Sequence, residues 1–89
     1  MTKTIHRHEY QALLMLLKAQ REEAGKTQTD CSEALGRSQS FISDVERGTR
    51  RLDLIQLRDL CQFLGVPLAE FIKRFESELN RSTFKAGKN

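Results

Sequence analysis

Apolar residues recur along the chain at the three- and four-residue spacing of α-helices, and no segment shows the alternation typical of a β-strand. This spacing predicts five helices, over residues 7–24, 28–35, 39–47, 54–64 and 67–79. A glycine directly follows each of the first four, as is common at helix C-termini. The pattern therefore predicts an all-α fold.

Polar residues that can cap helices stand before three of these segments. Thr27, Ser38 and Asp53 are each expected to accept a backbone N–H of the first turn. The first and last of them are followed, three residues on, by Asp30 and Gln56, at the spacing of a capping box. Local chemistry alone thus predicts where the second, third and fourth helices begin.

The inward-facing positions of the five helices define an expected core. These positions are Leu13, Leu14, Leu17, Cys31, Ala34, Leu35, Ile42, Val45, Leu54, Leu57, Leu60, Leu64, Leu68, Phe71 and Ile72. The stripe of the fifth helix, which begins at Pro67, continues through Phe75 and Leu79, farther than a five-helix domain can cover. We expect these two residues to form a dimer contact. Residues 1–79 are then one domain, and residues 80–89, where the pattern stops, are expected to be a flexible basic tail.

The third predicted helix has a polar face that adds little to a core. At about 100° per residue, one arc of about 140° contains five polar residues: Gln39, Ser40, Ser43, Asp44 and Arg47. Glutamine can pair with adenine, aspartate can accept from the cytosine amino group, and serine can donate or accept. This face is either merely solvated or a surface that reads bases in the DNA major groove.

Composition and charge narrow the class of protein. Apolar residues are 38% and charged residues 30% of the 89 residues, as in one globular domain. The net charge of +3 is a mild basic bias that favours an acidic partner. The longest apolar run, residues 12–17, is far below the roughly 20 residues that span a membrane. The protein is therefore expected in the cytoplasm, without a membrane partner.

Residues that could support metal or catalytic chemistry do not form a recognisable set. Cys31 and Cys61 lack metal-site spacing and fall at apolar helix positions, so they are expected to be buried thiols. His6 and His8 have no third ligand near them in the sequence. No phosphate-binding loop or nucleophile motif occurs, so we expect no metal, no cofactor and no enzyme activity.

Two segments of the chain read "TQTDCSEALGRSQSFISDVERGTRR" and "LIQLRDLCQFLGV". They resemble the phage repressor and Cro-like helix-turn-helix family, also called the XRE family. The resemblance covers residues 10–72, with helix, tight turn and helix over residues 28–47. It implies a compact five-helix, lambda-repressor-like DNA-binding domain whose third helix enters the major groove.

The resemblance also implies roles for particular residues. Gln28 matches a residue that touches a phosphate and braces Gln39, the first residue of the reading helix. Positions that match base contacts, or lie beside them, are Gln39, Ser40, Ser43 and Asp44. Positions that match contacts to the DNA backbone are Arg47, Thr49, Arg50 and Arg51. Arg21 and Glu46 match a charge pair that ties the first helix to the third.

Three departures from the family pattern bear on the DNA-binding surface. Arg37 stands where the family usually has an apolar residue, so its side chain is expected to face solvent or a phosphate. Phe41 is large for its place and either packs inward or touches a thymine methyl group. Leu52 replaces a frequent proline, which leaves the loop after Gly48 less defined by the resemblance.

The function that the resemblance implies is sequence-specific binding of double-stranded DNA by a transcriptional regulator, expected to be a repressor. A homodimer is expected to read a palindromic operator whose half-sites are about 10 base pairs apart. Two alternatives remain open. One is a protein-interaction module of the antitoxin type, with a protein partner, and the other is a controller of a restriction-modification operon.

Overall fold

The computed structural model describes the backbone of residues 7–87 and the side chains of residues 7–81. It contains five helices: α1 (His8–Glu23), α2 (Gln28–Ala34), α3 (Phe41–Glu46), α4 (Leu54–Leu64) and α5 (Leu68–Gly87). Over that range there is no strand. The predicted all-α, five-helix architecture is confirmed.

Both predicted capping boxes are present. The Thr27 hydroxyl accepts from the backbone N–H of Asp30 at 2.9 Å, and the Asp30 carboxylate accepts from the Thr27 N–H at 3.0 Å. At α4, the Asp53 carboxylate accepts from the Gln56 N–H at 2.7 Å, and the Gln56 side-chain oxygen accepts from the Asp53 N–H at 3.0 Å. Two donors that a helix start leaves without an intrahelical partner are satisfied in each case.

The predicted start of the third helix is wrong by two residues. Residues 39 and 40 form a turn, in which the Phe41 N–H donates to the Ser38 carbonyl at 3.0 Å, and the helix begins at Phe41. A contact between helices replaces the expected local cap, because the Ser32 hydroxyl of α2 accepts from the Ile42 N–H at 2.9 Å.

The predicted end of the fifth helix is also wrong. Pro67 directly precedes α5, and its carbonyl accepts the first helical hydrogen bond from the Phe71 N–H at 3.0 Å. The helix continues to Gly87, so residues 80–87 extend it and are not a separate tail. Residues 88 and 89 lie outside the described residues.

One buried cluster joins all five helices. It consists of Leu14, Leu17, Cys31, Phe41, Ile42, Val45, Leu57, Leu60, Cys61, Leu64, Val66 and Phe71. Two residues predicted to face inward do not, since Ala34 is exposed and Leu54 is 63% exposed. Ala34 is the last residue of α2 and Leu54 the first of α4, and the core does not reach these helix ends. None of the described helices is long and apolar enough to cross a membrane.

Candidate nucleic-acid interface

A single buried serine fixes the angle between α2 and α3. The Ser32 side chain is fully buried; its hydroxyl donates to the Gln28 carbonyl at 3.0 Å and accepts from the Ile42 N–H at 2.9 Å. Between the helices, Gly36 adopts a φ of +70°, which side chains with a Cβ rarely take. The two short helices are therefore held as one rigid helix-turn-helix unit.

The apolar edge of α3 holds the helix against the protein. Phe41, Ile42 and Val45 are each 2% exposed and pack into the core. Their burial turns the polar residues of the same segment outward. Gln39, Ser40 and Arg47 are exposed, whereas Ser43 and Asp44 are half-buried. The five predicted reading residues thus stay outside the core, with Gln39 and Ser40 in the turn that precedes α3.

Some of these outward side chains have partners within the protein and others do not. The Ser43 hydroxyl donates to the Ser40 carbonyl at 3.0 Å. The Asp44 carboxylate accepts from the guanidinium of Arg47, one helical turn away. Among the described residues, nothing hydrogen-bonds the side chain of Gln39. Its amide is therefore free to bond a ligand.

The protein-facing end of α3 has a different arrangement, a buried polar network. The Arg21 guanidinium donates to both carboxylate oxygens of Glu46, at 2.7 and 3.2 Å, and to the Lys26 carbonyl at 2.9 Å. The Arg21 and Glu46 side chains are only 11% and 8% exposed. The hydrogen bond from Arg21 to Glu46 raises the pKa of the arginine above its usual value. The network ties α1 to α3.

Gln28 belongs to this network, which corrects one expected role. Its side-chain amide donates to Glu46 at 2.8 Å and makes no hydrogen bond to Gln39 within the described residues. A carboxylate is the stronger acceptor, and Gln39 lies outside the helix that it was expected to begin. Gln28 therefore orients Glu46 and does not brace Gln39.

Arginines and aromatic rings border the polar face. The guanidinium carbons of Arg37 and Arg50 lie 4.7 and 5.1 Å from the centroid of the Phe41 ring. The guanidinium of Arg51 lies 5.6 Å from the centroid of the Tyr10 ring. Sequence reasoning missed both rings as arginine supports. The four-residue spacing from Arg37 to Phe41 was a signal for the first, whereas contact between Tyr10 and Arg51 depends on the tertiary fold.

The loop after α3 is held by Asp44. The Asp44 carbonyl accepts from the Thr49 N–H at 2.9 Å and from the Thr49 hydroxyl at 3.1 Å. Thr49 thus fixes the start of the loop that carries Arg50 and Arg51. The loop is consequently anchored at α3, and Leu52 packs against the core at its far end.

The expected dimer contact lies on α5. Phe75 and Leu79 are half-buried, and Phe75 lines an open groove of about 200 Å³ together with Tyr10 and Leu13.

Burial raises the pKa of the Cys61 thiol to about 11. No group of three or more potential metal ligands occurs in the part of the chain that the structure describes, in which His8 is exposed; His6 lies outside it.

Comparison of the sequence with known proteins matches it to a family and to a named relative. The family model of the helix-turn-helix domain matches residues 12–71. A relative named as the uncharacterized HTH-type transcriptional regulator y4dJ of Sinorhizobium fredii is 40% identical over 52 residues, which are 58% of this chain and 68% of the relative.

Solved structures with a similar fold include two above 25% identity. An XRE-family like protein from Pseudomonas syringae pv. tomato has a TM-score of 0.75 and 44% identity, covering 86% of this chain and 94% of its own. A point mutant of the restriction-modification controller protein C.Esp1396I has a TM-score of 0.73 and 26% identity, and the match covers 82% of this chain and 92% of the controller. ClgR, a clp gene regulator of Corynebacterium glutamicum, has a TM-score of 0.75 at 22% identity, covering 91% and 86%, which is a likeness of fold alone.

Proposed function

Since the chain belongs to the XRE-like helix-turn-helix family of DNA-binding transcriptional regulators, we propose that it is a repressor that reads the major groove with the outward face of α3. The observation that carries the proposal is the division of residues 39–47 into a buried apolar edge and a hydrogen-bonding face that is exposed or half-buried. Side chains this short let a helix lie deep in the groove. The relatives are named as regulators, so we propose binding without catalysis.

The proposed base contacts are made by the polar residues of this face. Gln39, whose amide has no partner within the described residues, is suited to a bidentate pair with adenine. Ser40 and Ser43 are suited to a base or a phosphate. Asp44 can accept from cytosine once Arg47 leaves it for the DNA backbone. Each good base contact is expected to discriminate by about 1–3 kcal/mol.

The proposed backbone contacts come from the loop after α3. Arg47, Arg50 and Arg51 are exposed and cationic, and Thr49 fixes the loop that carries two of them. Contacts to phosphates contribute affinity and position the helix, but they read no sequence. Gln28 opens α2 and is half-buried, so its backbone N–H is the group that we propose for a phosphate contact.

A homodimer on a palindromic operator is the proposed assembly. Phe75 and Leu79 stay half-exposed on α5, and Phe75 borders an open apolar groove beside α1. A second copy could cover this surface and place its own α3 about 10 base pairs away, in the next turn of the major groove. The site of action that we propose is the cytoplasm.

Selection of bound sequences from a random pool of DNA duplexes tests the proposal. The expected result is a short enriched sequence that occurs twice, related by two-fold symmetry, with centres about 10 base pairs apart. If the enriched sequence occurs only once, the result would support recognition of bases by the protein but would overturn the homodimer. A pool that shows no enrichment, although the protein is folded and binds DNA, would overturn sequence-specific reading.

Control of a restriction-modification operon is the second candidate function. The similarity to the controller C.Esp1396I, at 26% identity over most of both chains, favours it. A reporter gene placed behind the selected operator separates the two roles. Lower expression with the protein present supports the repressor, and higher expression supports a controller that activates. The antitoxin alternative stays a prediction, to be tested by co-purification of a partner protein.

A further inference from the structure

The nine arginines of the chain all lie within the described side chains, and they divide into two groups. Six of them lie within 4.0 Å of a carboxylate oxygen: Arg7, Arg21, Arg47, Arg58, Arg74 and Arg81. Arg37, Arg50 and Arg51 have no carboxylate partner among the described residues, and each lies against an aromatic ring instead. All three flank α3 on the chain.

Two of these arginines share one support. Arg37 comes from the turn between α2 and α3, and Arg50 comes from the loop after α3, yet both lie about 5 Å from the Phe41 centroid. Phe41 is 2% exposed and packed in the core, so its ring cannot move to follow them. Attraction between a guanidinium and a ring face is worth about 0.5–1 kcal/mol at exposed sites. The ring therefore favours the observed positions of these two exposed side chains.

Electrostatics make this pair a site for an anion. The two guanidinium carbons lie within about 5 Å of one ring centroid and so at most about 10 Å apart, where like charges repel each other. Neither group has a carboxylate within 4 Å among the described residues. A phosphate placed between them would turn that repulsion into two attractions. Guanidinium groups match phosphate oxygens with paired hydrogen bonds, and a side chain already held in position loses less entropy on binding. The preferred ligand is therefore a phosphate.

We propose that Arg37 and Arg50, supported by Phe41, form a clamp that holds a phosphate of the DNA backbone beside the start of α3. The inference rests on the proposed function, because it takes the polar face of α3 to be the DNA surface. It decides between the two expectations for Arg37, solvent or a phosphate, in favour of a phosphate shared with Arg50. The clamp sets the depth and register of α3 in the groove and reads no base itself.

The test is the salt dependence of binding to a DNA duplex of mixed sequence, measured by fluorescence anisotropy for the wild-type chain and for Arg37→Gln. Loss of one phosphate contact is expected to lower the slope of log K against log salt concentration by about 0.9. The affinity should fall by a similar factor for every duplex. A slope equal to that of the wild type would overturn the clamp.

Arg81→Gln is the matched control. Arg81 is exposed, pairs with Glu78 at 2.8 Å and lies late in α5, and its loss changes the net charge by the same amount. The slope for this variant should equal the wild-type slope, so an equal drop in both variants would overturn the clamp by showing a net-charge effect alone. Failure of the proposed function looks different, since selection with the wild-type chain would then enrich no sequence, whatever its salt slope.

A double substitution tests whether the two arginines act together. If both hold one phosphate, Arg37→Gln combined with Arg50→Gln should weaken binding by less than the product of the two single losses. Circular dichroism of each variant checks that the fold is intact. Losses that multiply would show two independent contacts and would overturn the shared clamp.

Discussion

The same kinds of residue lie in opposite states around the two sides of α3. On the protein side, Arg21 and Gln28 donate to Glu46, and the pair of charges is nearly buried. On the outward side, Arg50 has no carboxylate partner and the Gln39 amide has no hydrogen bond among the described residues. The difference indicates which residues support the fold and which are available to a ligand.

Solvation accounts for this division. A charge removed from water must be paired and hydrogen-bonded, or the fold loses several kcal/mol. A charge at the surface is solvated at little cost and can exchange water for a phosphate. Changes on the protein side should therefore lower stability and leave the bases read unchanged. Changes on the outward side should weaken binding and leave stability unchanged.

The largest effect is expected at the buried pair. Arg21→Ala leaves the Glu46 carboxylate nearly buried with only the Gln28 amide as a donor, which should lower the free energy of unfolding by about 3–5 kcal/mol. Urea unfolding measures this loss. Arg58→Ala, which removes an exposed arginine beside Asp59, is the control and should change stability by less than about 0.5 kcal/mol. Equal losses in the two variants would remove the distinction between the sides.

A smaller loss of stability is expected at the serine between α2 and α3. Ser32→Ala removes the acceptor of the buried Ile42 N–H and should cost about 1–3 kcal/mol. Ser43→Ala is the matched control, because that hydroxyl bonds only the Ser40 carbonyl at the surface, and its cost should stay below about 0.5 kcal/mol. If Ser32→Ala unfolds at the wild-type urea concentration, the serine does not join the helices as described.

The outward side should respond in binding alone. Arg50→Gln should weaken binding to every duplex by about 1 kcal/mol at physiological salt and lower the salt slope by about 0.9. Its free energy of unfolding should fall by no more than about 0.5–1 kcal/mol, since Arg50 contacts only the Phe41 ring and bears no hydrogen bond within the described residues. Full affinity together with a lowered urea midpoint would show that Arg50 supports the fold and does not contact DNA.

The smallest expected effect is on the stability of the fold at acid pH. Hydrogen bonds from Thr27 lower the pKa of the Asp30 carboxyl in the folded chain. The carboxylate thus adds stability above its unfolded pKa of about 4, and this stability is lost as the pH falls through the lower, folded value. Asp30→Asn should flatten this part of the stability profile, measured by urea unfolding between neutral and acid pH. An unchanged acid profile would show that the capping box adds no pH dependence.

Local features of the fold could be predicted from the sequence, and features set by contacts between helices could not. The capping boxes at Thr27 and Asp53 need only residues three apart. The start of α3 depends instead on Ser32, which lies in another helix and caps it from there. The proposed DNA-binding surface likewise combines a local feature with contacts set by the tertiary fold. Helical periodicity placed the polar face, but only the fold brings Arg37 and Arg50 to one ring.

The bases preferred by Gln39→Ala provide the most direct test of the central claim, that the outward face of α3 reads DNA. Selection from a random duplex pool should show preference lost by about 1–3 kcal/mol at one base pair of each half-site. The other positions and the urea midpoint should match the wild type. An unchanged preference at every position, in a folded protein that still binds DNA, would contradict the account.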